Sequence, residues 1–311
     1  MISVALCTYN GELYIKKQLD SILNQTIPVD EIVICDDGST DSTIDIVEEF
    51  ASIQKRIAIQ IVKNEKNTGV RNNFEKALNL CNGDVILLSD QDDIWFPQKV
   101  EIIINFLRKN PDKDTVISNA ILIDNNDEIL SDKTLLDCVG LTHMYLITAT
   151  NDNHIDMFLS SNRATGATMA IKKCVPIRFN YETPILHDYI LAIEALARNS
   201  LGIIEQPLTK YRIHIGQERG IGKAIEIPWE SNIYELGCEK IDNYPLPKVF
   251  ANKIEMRHKR YEWMAGLSGI IKILFNWNLY RKTYPDNWKS FMSVDIQHTI
   301  GLYKQRHKKS V

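Results

Sequence analysis

The first 125 residues alternate between short apolar runs and segments whose apolar residues recur every three or four positions. The apolar runs predict strands, and the periodic segments predict amphipathic helices. The predicted strands span residues 3–7, 31–35, 57–62, 84–89 and 115–123, and the predicted helices span residues 13–24, 42–51, 72–81 and 97–108. Strands separated by helices favour an α/β fold, with a mainly parallel sheet and helices on both of its faces.

Polar segments follow the early predicted strands. They are Thr8-Tyr9-Asn10, Asp36-Asp37-Gly38-Ser39, Asn67-Thr68-Gly69 and Asp90-Gln91-Asp92-Asp93. In parallel sheets that are flanked by helices, ligands bind beyond the carboxyl ends of the strands. We therefore expect these four segments, which are distant from one another in the sequence, to line a single crevice.

The segment Asp90-Gln91-Asp92-Asp93 places three carboxylates directly after the apolar run Val85-Ile86-Leu87-Leu88. Burying several anions together is unfavourable unless a cation lies among them. Mg²⁺ and Mn²⁺ favour hard oxygen ligands, and they often take phosphate oxygens and water beside a few protein carboxylates. The segment therefore predicts a site for a divalent metal and a nucleoside diphosphate, with a solvated acidic loop as the alternative.

Two of the other segments allow two interpretations each. A carboxylate at Asp36 or Asp37 could accept a hydrogen bond from the N3–H of a pyrimidine base, and Gly38 permits a tight turn there. An Asx turn that begins the next helix is the simpler alternative. The segment Asn67-Thr68-Gly69 could likewise cap a helix or help to enclose a nucleotide.

Taken together, these segments resemble the inverting glycosyltransferases of family 2. The matching strings are Ser3-Val4-x-x-Cys7-Thr8-Tyr9-Asn10, Asp36-Asp37-Gly38-Ser39-Thr40-Asp41, Asn67-x-Gly69 and Gly83-Asp84-x-x-x-x-Ser89-Asp90-Gln91-Asp92-Asp93, and the resemblance extends over residues 1–215. The pair Ile94-Trp95 after the acidic segment, with His187-Asp188 later, is most similar to the bacterial rhamnosyltransferase-like branch. The resemblance implies a nucleotide-binding GT-A fold, which is Rossmann-like.

The resemblance also implies roles for individual residues. Asp37 would bind the base, Asp92 would be the main ligand of Mn²⁺ or Mg²⁺, and Asp90 would lie near the ribose or the metal. Alternation places Arg212 and His214 on the same face of a later strand, where the arginine suits a diphosphate and the histidine would join the metal ligands. A buried histidine and a surface arginine without a binding role are the alternative. The full implied nucleotide-binding set is Thr8, Tyr9, Asn10, Asp37, Asn67, Asn73, Asp90 and Arg212.

The family also requires a general base for the acceptor hydroxyl, at an acidic residue that opens a helix. Here the resemblance points to Asp188, which follows His187 where the family more often has glutamate. A helix cap at Asp188 is the alternative without catalysis, and His187 is the rival base. The implied acceptor-site residues are Thr165, Gly166, Ala167 and Trp95, and close packing of two backbones is the other explanation for the small residues among them.

Charge divides the chain unevenly, although the net charge is only −4. From Lys240 onward there are 14 Lys and Arg residues against 5 Asp and Glu, so the preceding residues carry a net −13. The basic part is rich in aromatic residues and has a helical pattern, which favours contact with an anionic membrane surface. Packing on the catalytic domain, or on a second subunit to form a homodimer, is the alternative. The acidic body and the absence of a recognised module argue against nucleic-acid binding.

The six cysteines are scattered without C-x-x-C spacing, which favours free thiols in a reducing compartment. The first residues lack the basic region and cleavage site of a signal peptide, and no run of 18 apolar residues is present. We therefore expect a cytoplasmic protein, with peripheral attachment to the inner face of the cell membrane as an extension of that expectation.

These observations predict a catalytic domain over residues 1–222, with a nucleotide-sugar-binding part at 1–125 and an acceptor-binding part at 126–222, followed by a helical basic region at 223–311. The implied reaction moves L-rhamnose from dTDP-L-rhamnose onto a saccharide acceptor, often lipid-linked, in O-antigen or capsule synthesis. A UDP-hexose or UDP-N-acetylhexosamine transferase is the alternative in the same family. A non-catalytic protein that binds nucleotide sugars is the alternative from another class.

Overall fold

The structure is a computed structural model that describes residues 1–160, 162–177, 179, 185–214, 273–274, 277–283, 289, 292 and 296. The chain divides into two compact units, Met1–Lys240 and Ile241–Val311. The predicted boundary between residues 222 and 223 lies outside the described residues, so the domain limits stay predictions.

The first unit contains eight described strands and eight described α-helices. The strands are β1 (Ile2–Thr8), β2 (Glu31–Asp36), β3 (Ala58–Lys63), β4 (Val85–Ser89), β5 (Ile94–Trp95), β6 (Thr115–Ile123), β7 (Met169–Lys172) and β8 (Leu201–Arg212). The helices are α1 (Ile15–Leu23), α2 (Thr43–Ile53), α3 (Val70–Leu80), α4 (Lys99–Lys109), α5 (Leu135–Cys138), α6 (His143–Leu146), α7 (Asn151–Ser160) and α8 (His187–Ala197). Every element predicted for the first 125 residues is present, with its ends within two residues of those expected.

All eight strands join one sheet in the order β3-β2-β1-β4-β7-β6-β8-β5. The first four strands in this order are parallel, and β6 and β8 form a second parallel pair. The short strand β7 runs antiparallel to both β4 and β6 and so joins the two parallel blocks. The expected α/β class with a mainly parallel sheet is therefore confirmed, with antiparallel pairing added at β7 and β5.

Burial of the strand and helix residues accounts for the apolar patterns that predict these elements. Every residue of β2 and six of the seven residues of β1 are buried, as expected of strands covered on both faces. Helix α3 buries an apolar face, with Phe74, Ala77 and Leu78 packed against the sheet. Each large apolar side chain removed from water in this way contributes about 1.5–3 kcal/mol.

The second half of the first unit departs from the expected pattern in two places. The sequence of residues 165–172 predicts a strand, but Gly166–Thr168 form a 3₁₀ turn and β7 begins only at Met169. The turn is closed by the Thr168 N–H, which donates to the Thr165 carbonyl at 3.0 Å. Helices α5 and α6 are four residues long, too short to show helical periodicity, and were not expected.

Only part of the predicted helical C-terminal region lies within the described residues. In the second unit, α9 (Trp277–Thr283) is helical, and Tyr280 and Ile273 are buried in a small apolar cluster. The remaining predicted tail lies outside the described residues. Among the helices described in either unit, none combines the length and apolar character needed to cross a bilayer.

Candidate active site

The four polar segments meet at one edge of the sheet. Thr8 and Asp36 are register partners at the ends of β1 and β2, and Leu6 pairs with Ser89 on β4. The Gln91 side chain then joins the first and fourth segments, since it accepts from the Tyr9 N–H at 2.8 Å and donates to the Tyr9 carbonyl at 2.9 Å. Gln91 was not among the expected site residues, although its place inside the acidic segment was a signal.

The carboxylate of Asp37 organises the third segment. Its Oδ1 accepts from the N–H and the hydroxyl of Thr68, each at 2.8 Å, and its Oδ2 accepts from the Gly69 N–H at 2.8 Å. Gly69 has a φ of 88°, a backbone region that favours glycine. Asn73 is also bound by protein, because it donates to the Cys35 carbonyl at 2.8 Å and accepts from Asn64 at 3.0 Å. These contacts shape the expected base pocket, while contact of either residue with a base stays a prediction.

The remaining expected nucleotide-binding residues fix the loops around the crevice. Thr8 donates its hydroxyl to Asp36 at 2.8 Å, and the Asn10 N–H donates to the Ser39 hydroxyl at 2.8 Å. Asn67 is exposed and accepts from the Gly69 N–H at 2.9 Å. Thr8 and Asn10 thus connect the loop after β1 to the loop after β2, and Asn67 stabilises its own loop after β3.

The acidic loop after β4 is electrostatically strained. Burial, followed by the charges of Asp92 and Asp188, raises the pKa of Asp90 to about 7. Burial and the charges of Asp92 and Asp90 raise the pKa of Asp93 well above its usual range. Asp93 also has a buried Oδ2 that lacks a hydrogen-bond partner among the described residues. A bound cation would relieve this repulsion, so the residues fit the expected Mn²⁺ or Mg²⁺.

The expected metal ligands are only partly assembled. Asp92 is 8% exposed, and its Oδ2 lies 2.8 Å from His214 Nε2. Among the described residues, no group of three histidine, cysteine, aspartate or glutamate side chains is arranged to hold a metal ion. A metal at Asp90 and Asp92 would therefore need phosphate oxygens and water to complete its coordination.

A buried lysine lies beside this loop and was missed by the sequence analysis. Lys99 is fully buried, and its ammonium donates to the Ala167 carbonyl at 2.8 Å and to the Thr209 hydroxyl at 2.9 Å. Burial lowers its pKa to about 7, against the opposing charges of Asp93 and Asp90. The sequence did carry one sign that Lys99 is buried, because it lies one helical turn before Ile103 on the apolar face of α4.

Asp188 joins this group from the other half of the chain. It is the second residue of α8, is 7% exposed, and lies close enough for its charge to raise the pKa of Asp90. Burial raises the pKa of Asp188 itself to about 6, although hydrogen bonds from Tyr189, Asn162 and Gly166 oppose that rise. Leu186 occupies the N-cap position of α8, so Asp188 is not the capping residue.

A family model independently matches the first part of the chain, which ends before Asp188. The model described as glycosyl transferase family 2 matches residues 3–177, which include all but the first residue of β1, strands β2–β7 and the acidic loop. The chain belongs to glycosyl transferase family 2. The expectation drawn from the sequence motifs is thereby confirmed at the level of the family.

Relatives in the family extend over most of the chain. The dTDP-rhamnosyl transferase RfbG of Shigella flexneri is 32% identical over 296 residues, covering 89% of this chain and 94% of that protein. An uncharacterized glycosyltransferase of Haemophilus influenzae is 31% identical over 227 residues, covering 71% of this chain and 68% of that protein. Among solved structures, S. aureus TarS residues 1–349 with UDP-GlcNAc has a TM-score of 0.59 at 17% identity, covering 99% of this chain and 92% of that chain. The structural likeness shows a shared GT-A fold.

The histidine of this glycosyltransferase's His187-Asp188 pair is deeply buried. Its ring stacks on Phe74 with centroids 4.0 Å apart, and among the described residues neither ring nitrogen has a hydrogen-bond partner. Burial lowers the pKa of His187 to about 3, so the ring is neutral at physiological pH. A Cβ placed on Gly166 would lie 2.6 Å from His187 Nε2, which explains the glycine at that position.

The expected acceptor-site residues of the glycosyltransferase pack closely. Gly166 and Ala167 are buried, and Thr165 is partly exposed. Trp95 is 3% exposed, and the Lys99 ammonium lies 4.1 Å from the centroid of its ring. The indole N–H of Trp95 has no hydrogen-bond partner among the described residues. Close packing therefore accounts for Gly166, and acceptor binding by these four residues stays a prediction.

Arg212, the residue expected to bind the diphosphate, makes several hydrogen bonds to other protein groups. It is fully buried, and its guanidinium donates to the Asp92 carbonyl at 2.7 Å, the Asp124 carbonyl at 2.6 Å and the Asp127 carboxylate at 2.5 Å. Its backbone N–H donates to Asp93 at 2.9 Å. Arg212 thus braces the acidic loop, and its direct contact with a phosphate stays a prediction.

Proposed function

We propose that this family 2 glycosyltransferase is a metal-dependent inverting enzyme of bacterial surface polysaccharide synthesis, such as that of O-antigen or capsule. The observation that carries the proposal is the approach of Asp188 to the acidic loop, which puts a buried carboxylate of raised pKa beside a cluster suited to a metal and a diphosphate. That pairing provides both halves of a single displacement: a base for the acceptor and stabilisation for the leaving group.

In the proposed mechanism, the acceptor hydroxyl attacks C1 of the donor sugar while Asp188 takes the hydroxyl proton. The bond between C1 and the diphosphate oxygen breaks, and its electron pair leaves with the nucleoside diphosphate. Mn²⁺ or Mg²⁺ at Asp92 and Asp90, with His214 beside them, would supply Lewis-acid stabilisation of that leaving group. Attack opposite the leaving group inverts the anomeric configuration.

Asp188 is a better base than His187 on electrostatic grounds. With a pKa of about 6, Asp188 is mostly ionised at neutral pH and still basic enough to take a proton in the transition state. His187, with a pKa of about 3, is a much weaker base. We therefore assign the proton transfer to Asp188, with His187 as a neutral neighbour.

The nucleotide-binding assignments follow the strand-end crevice. The residues proposed to line the donor site are Thr8, Tyr9, Asn10, Asp37, Asn67, Asn73, Asp90 and Arg212. The residues proposed to line the acceptor site are Thr165, Gly166, Ala167 and Trp95. In this proposal the Arg212 guanidinium contacts the diphosphate.

The proposed donor is dTDP-L-rhamnose. It is supported by the near full-length similarity to RfbG, whose name states a dTDP-rhamnosyl transferase. A UDP-hexose or UDP-N-acetylhexosamine is the second candidate, favoured by a relative from Escherichia coli named as a UDP-Glc-dependent glucosyltransferase, 32% identical over 126 residues, covering 40% of this chain and 48% of that protein.

Cellular placement is part of the same proposal. The acceptor is a lipid-linked saccharide, and the enzyme works in the cytoplasm at the inner face of the membrane. The basic region 223–311 contacts the anionic lipid surface, with homodimer formation as its alternative role. Residues 1–222 form the catalytic domain.

Thermal stabilisation by nucleotide sugars with Mn²⁺ tests the proposed function. The panel contains dTDP-L-rhamnose, dTDP-glucose, UDP-glucose and UDP-N-acetylglucosamine, followed by release of nucleoside diphosphate from each donor that binds. We expect dTDP-L-rhamnose to raise Tm most and to be turned over slowly. A larger shift with a UDP sugar would select the second candidate, and binding without any turnover would favour a non-catalytic sugar-nucleotide-binding protein.

A further inference from the structure

Among the described residues, the hydrogen bonds to Asp188 leave one position on its carboxylate open. Oδ1 accepts from the Tyr189 N–H at 2.6 Å and from Asn162 Nδ2 at 3.0 Å, whereas Oδ2 accepts, within the described part of the chain, from the Gly166 N–H at 3.1 Å. An ionised carboxylate has about four lone-pair positions, two on each oxygen. Oδ1 is therefore fully occupied, and Oδ2 retains one position for an incoming proton.

The orientation of the Asn162 side chain is fixed by a second contact. Its Oδ1 accepts from the Ala164 N–H at 3.0 Å. A backbone N–H can only donate, so the amide oxygen must face Ala164 and the NH₂ group must face Asp188. The amide is thus held at both ends and acts as a fixed donor to the carboxylate.

We propose that Asn162 is a positioning residue for the general base, and that Oδ2 of Asp188 is the atom that receives the proton. This inference rests on the proposed function of Asp188. The Asn162 amide and the Tyr189 N–H occupy Oδ1 and prevent rotation of the carboxylate. The acceptor O–H bond then breaks toward Oδ2 as the new bond from oxygen to C1 forms.

Asn162 also tunes the basicity of Asp188. Its N–H bonds to the charged form of the carboxylate and so holds the pKa of Asp188 below the value that burial alone would give. A base on a rigid helix that is oriented from a neighbouring loop retains its geometry when the acceptor binds. The inference therefore predicts both a geometric and an electrostatic effect when Asn162 is changed.

Two variants of Asn162 test the inference through the pH dependence of kcat, measured with the donor found by the binding panel. In Asn162→Ala the lost hydrogen bond should move the acidic limb of the kcat profile up by about one pH unit. Misorientation of the base should lower kcat at the plateau by about tenfold, with the KM for donor unchanged. In Asn162→Asp a like charge replaces the donor, and the limb should move further in the same direction.

Asn151→Ala is the matched control. The Asn151 amide donates to the Leu196 carbonyl at 3.4 Å, so this variant weakens the contact between α7 and α8 without touching Asp188. Its acidic limb should stay at the wild-type position. If the acidic limb of the kcat profile stays at the wild-type pH in both Asn162 variants while Asp188→Asn is inactive, the inference is overturned and the proposed function is left intact. Near-normal turnover in Asp188→Asn would overturn both.

Discussion

Replacing Asp188 with asparagine is expected to reduce sugar transfer by about 10²–10⁴-fold, the contribution of a positioned general base. Asparagine keeps the size of the side chain but cannot take the proton from the acceptor hydroxyl. Donor affinity should change little, because the diphosphate is held at the opposite side of the reacting carbon. The measurement is the rate of transfer beside the Kd of the donor with Mn²⁺.

The pH profile of the wild-type enzyme provides a second readout of the same group. The pKa of Asp188 in the free enzyme is about 6, so kcat/KM should fall as the pH drops through 6 and the carboxylate becomes protonated. Asp112→Asn is a suitable control, because it changes an exposed carboxylate paired with Lys113 at 3.2 Å. Turnover close to the wild-type rate in Asp188→Asn would remove Asp188 as the base.

Removal of divalent metal is expected to suppress both donor binding and transfer. The Asp90 and Asp93 carboxylates already repel one another and Asp92, so the approach of a diphosphate is unfavourable without a cation. Charge stabilisation by a metal contributes several kcal/mol, which corresponds to at least about 10²-fold in rate. Activity should be lost in excess EDTA and restored by Mn²⁺ or Mg²⁺.

Asp92→Asn should reproduce most of that loss without chelation. Asparagine retains an oxygen but not the charge, so higher Mn²⁺ concentrations should be needed for half-maximal activity. The matched control is Asp84→Asn, which changes an exposed carboxylate immediately before β4 that pairs with the N-terminal amine. Full activity of the wild-type enzyme in excess EDTA would exclude the metal role given to Asp90 and Asp92.

The first half of the fold was predictable because its signals are local. Strands β1, β2 and β4 are buried apolar runs, and β3 is a short, partly exposed strand at the end of the sheet order. Each intervening helix has a periodic apolar face, so the residues at the strand ends could be placed at one edge. The strand alternation also placed Arg212 and His214 on one face, and both contact Asp92.

The residues that were missed depend on contacts between distant segments. Lys99 lies on an apolar helix face, but its partners at Ala167 and Thr209 are 68 and 110 positions away in the sequence. Asn162 is 26 positions before Asp188 and has no motif around it. Such side-chain contacts follow from the sheet order, in which β7 brings the 3₁₀ turn beside β4, and leave no periodic trace in the sequence.

The anomeric configuration of the transferred sugar tests the central claim most directly. With the donor identified by the binding panel, early-time proton NMR of the product compares the configuration at C1 with that of the nucleotide sugar. A single displacement, with Asp188 activating the acceptor opposite the leaving diphosphate, predicts inversion. Retention of configuration would contradict the account, because it requires a different sequence of bond changes at C1.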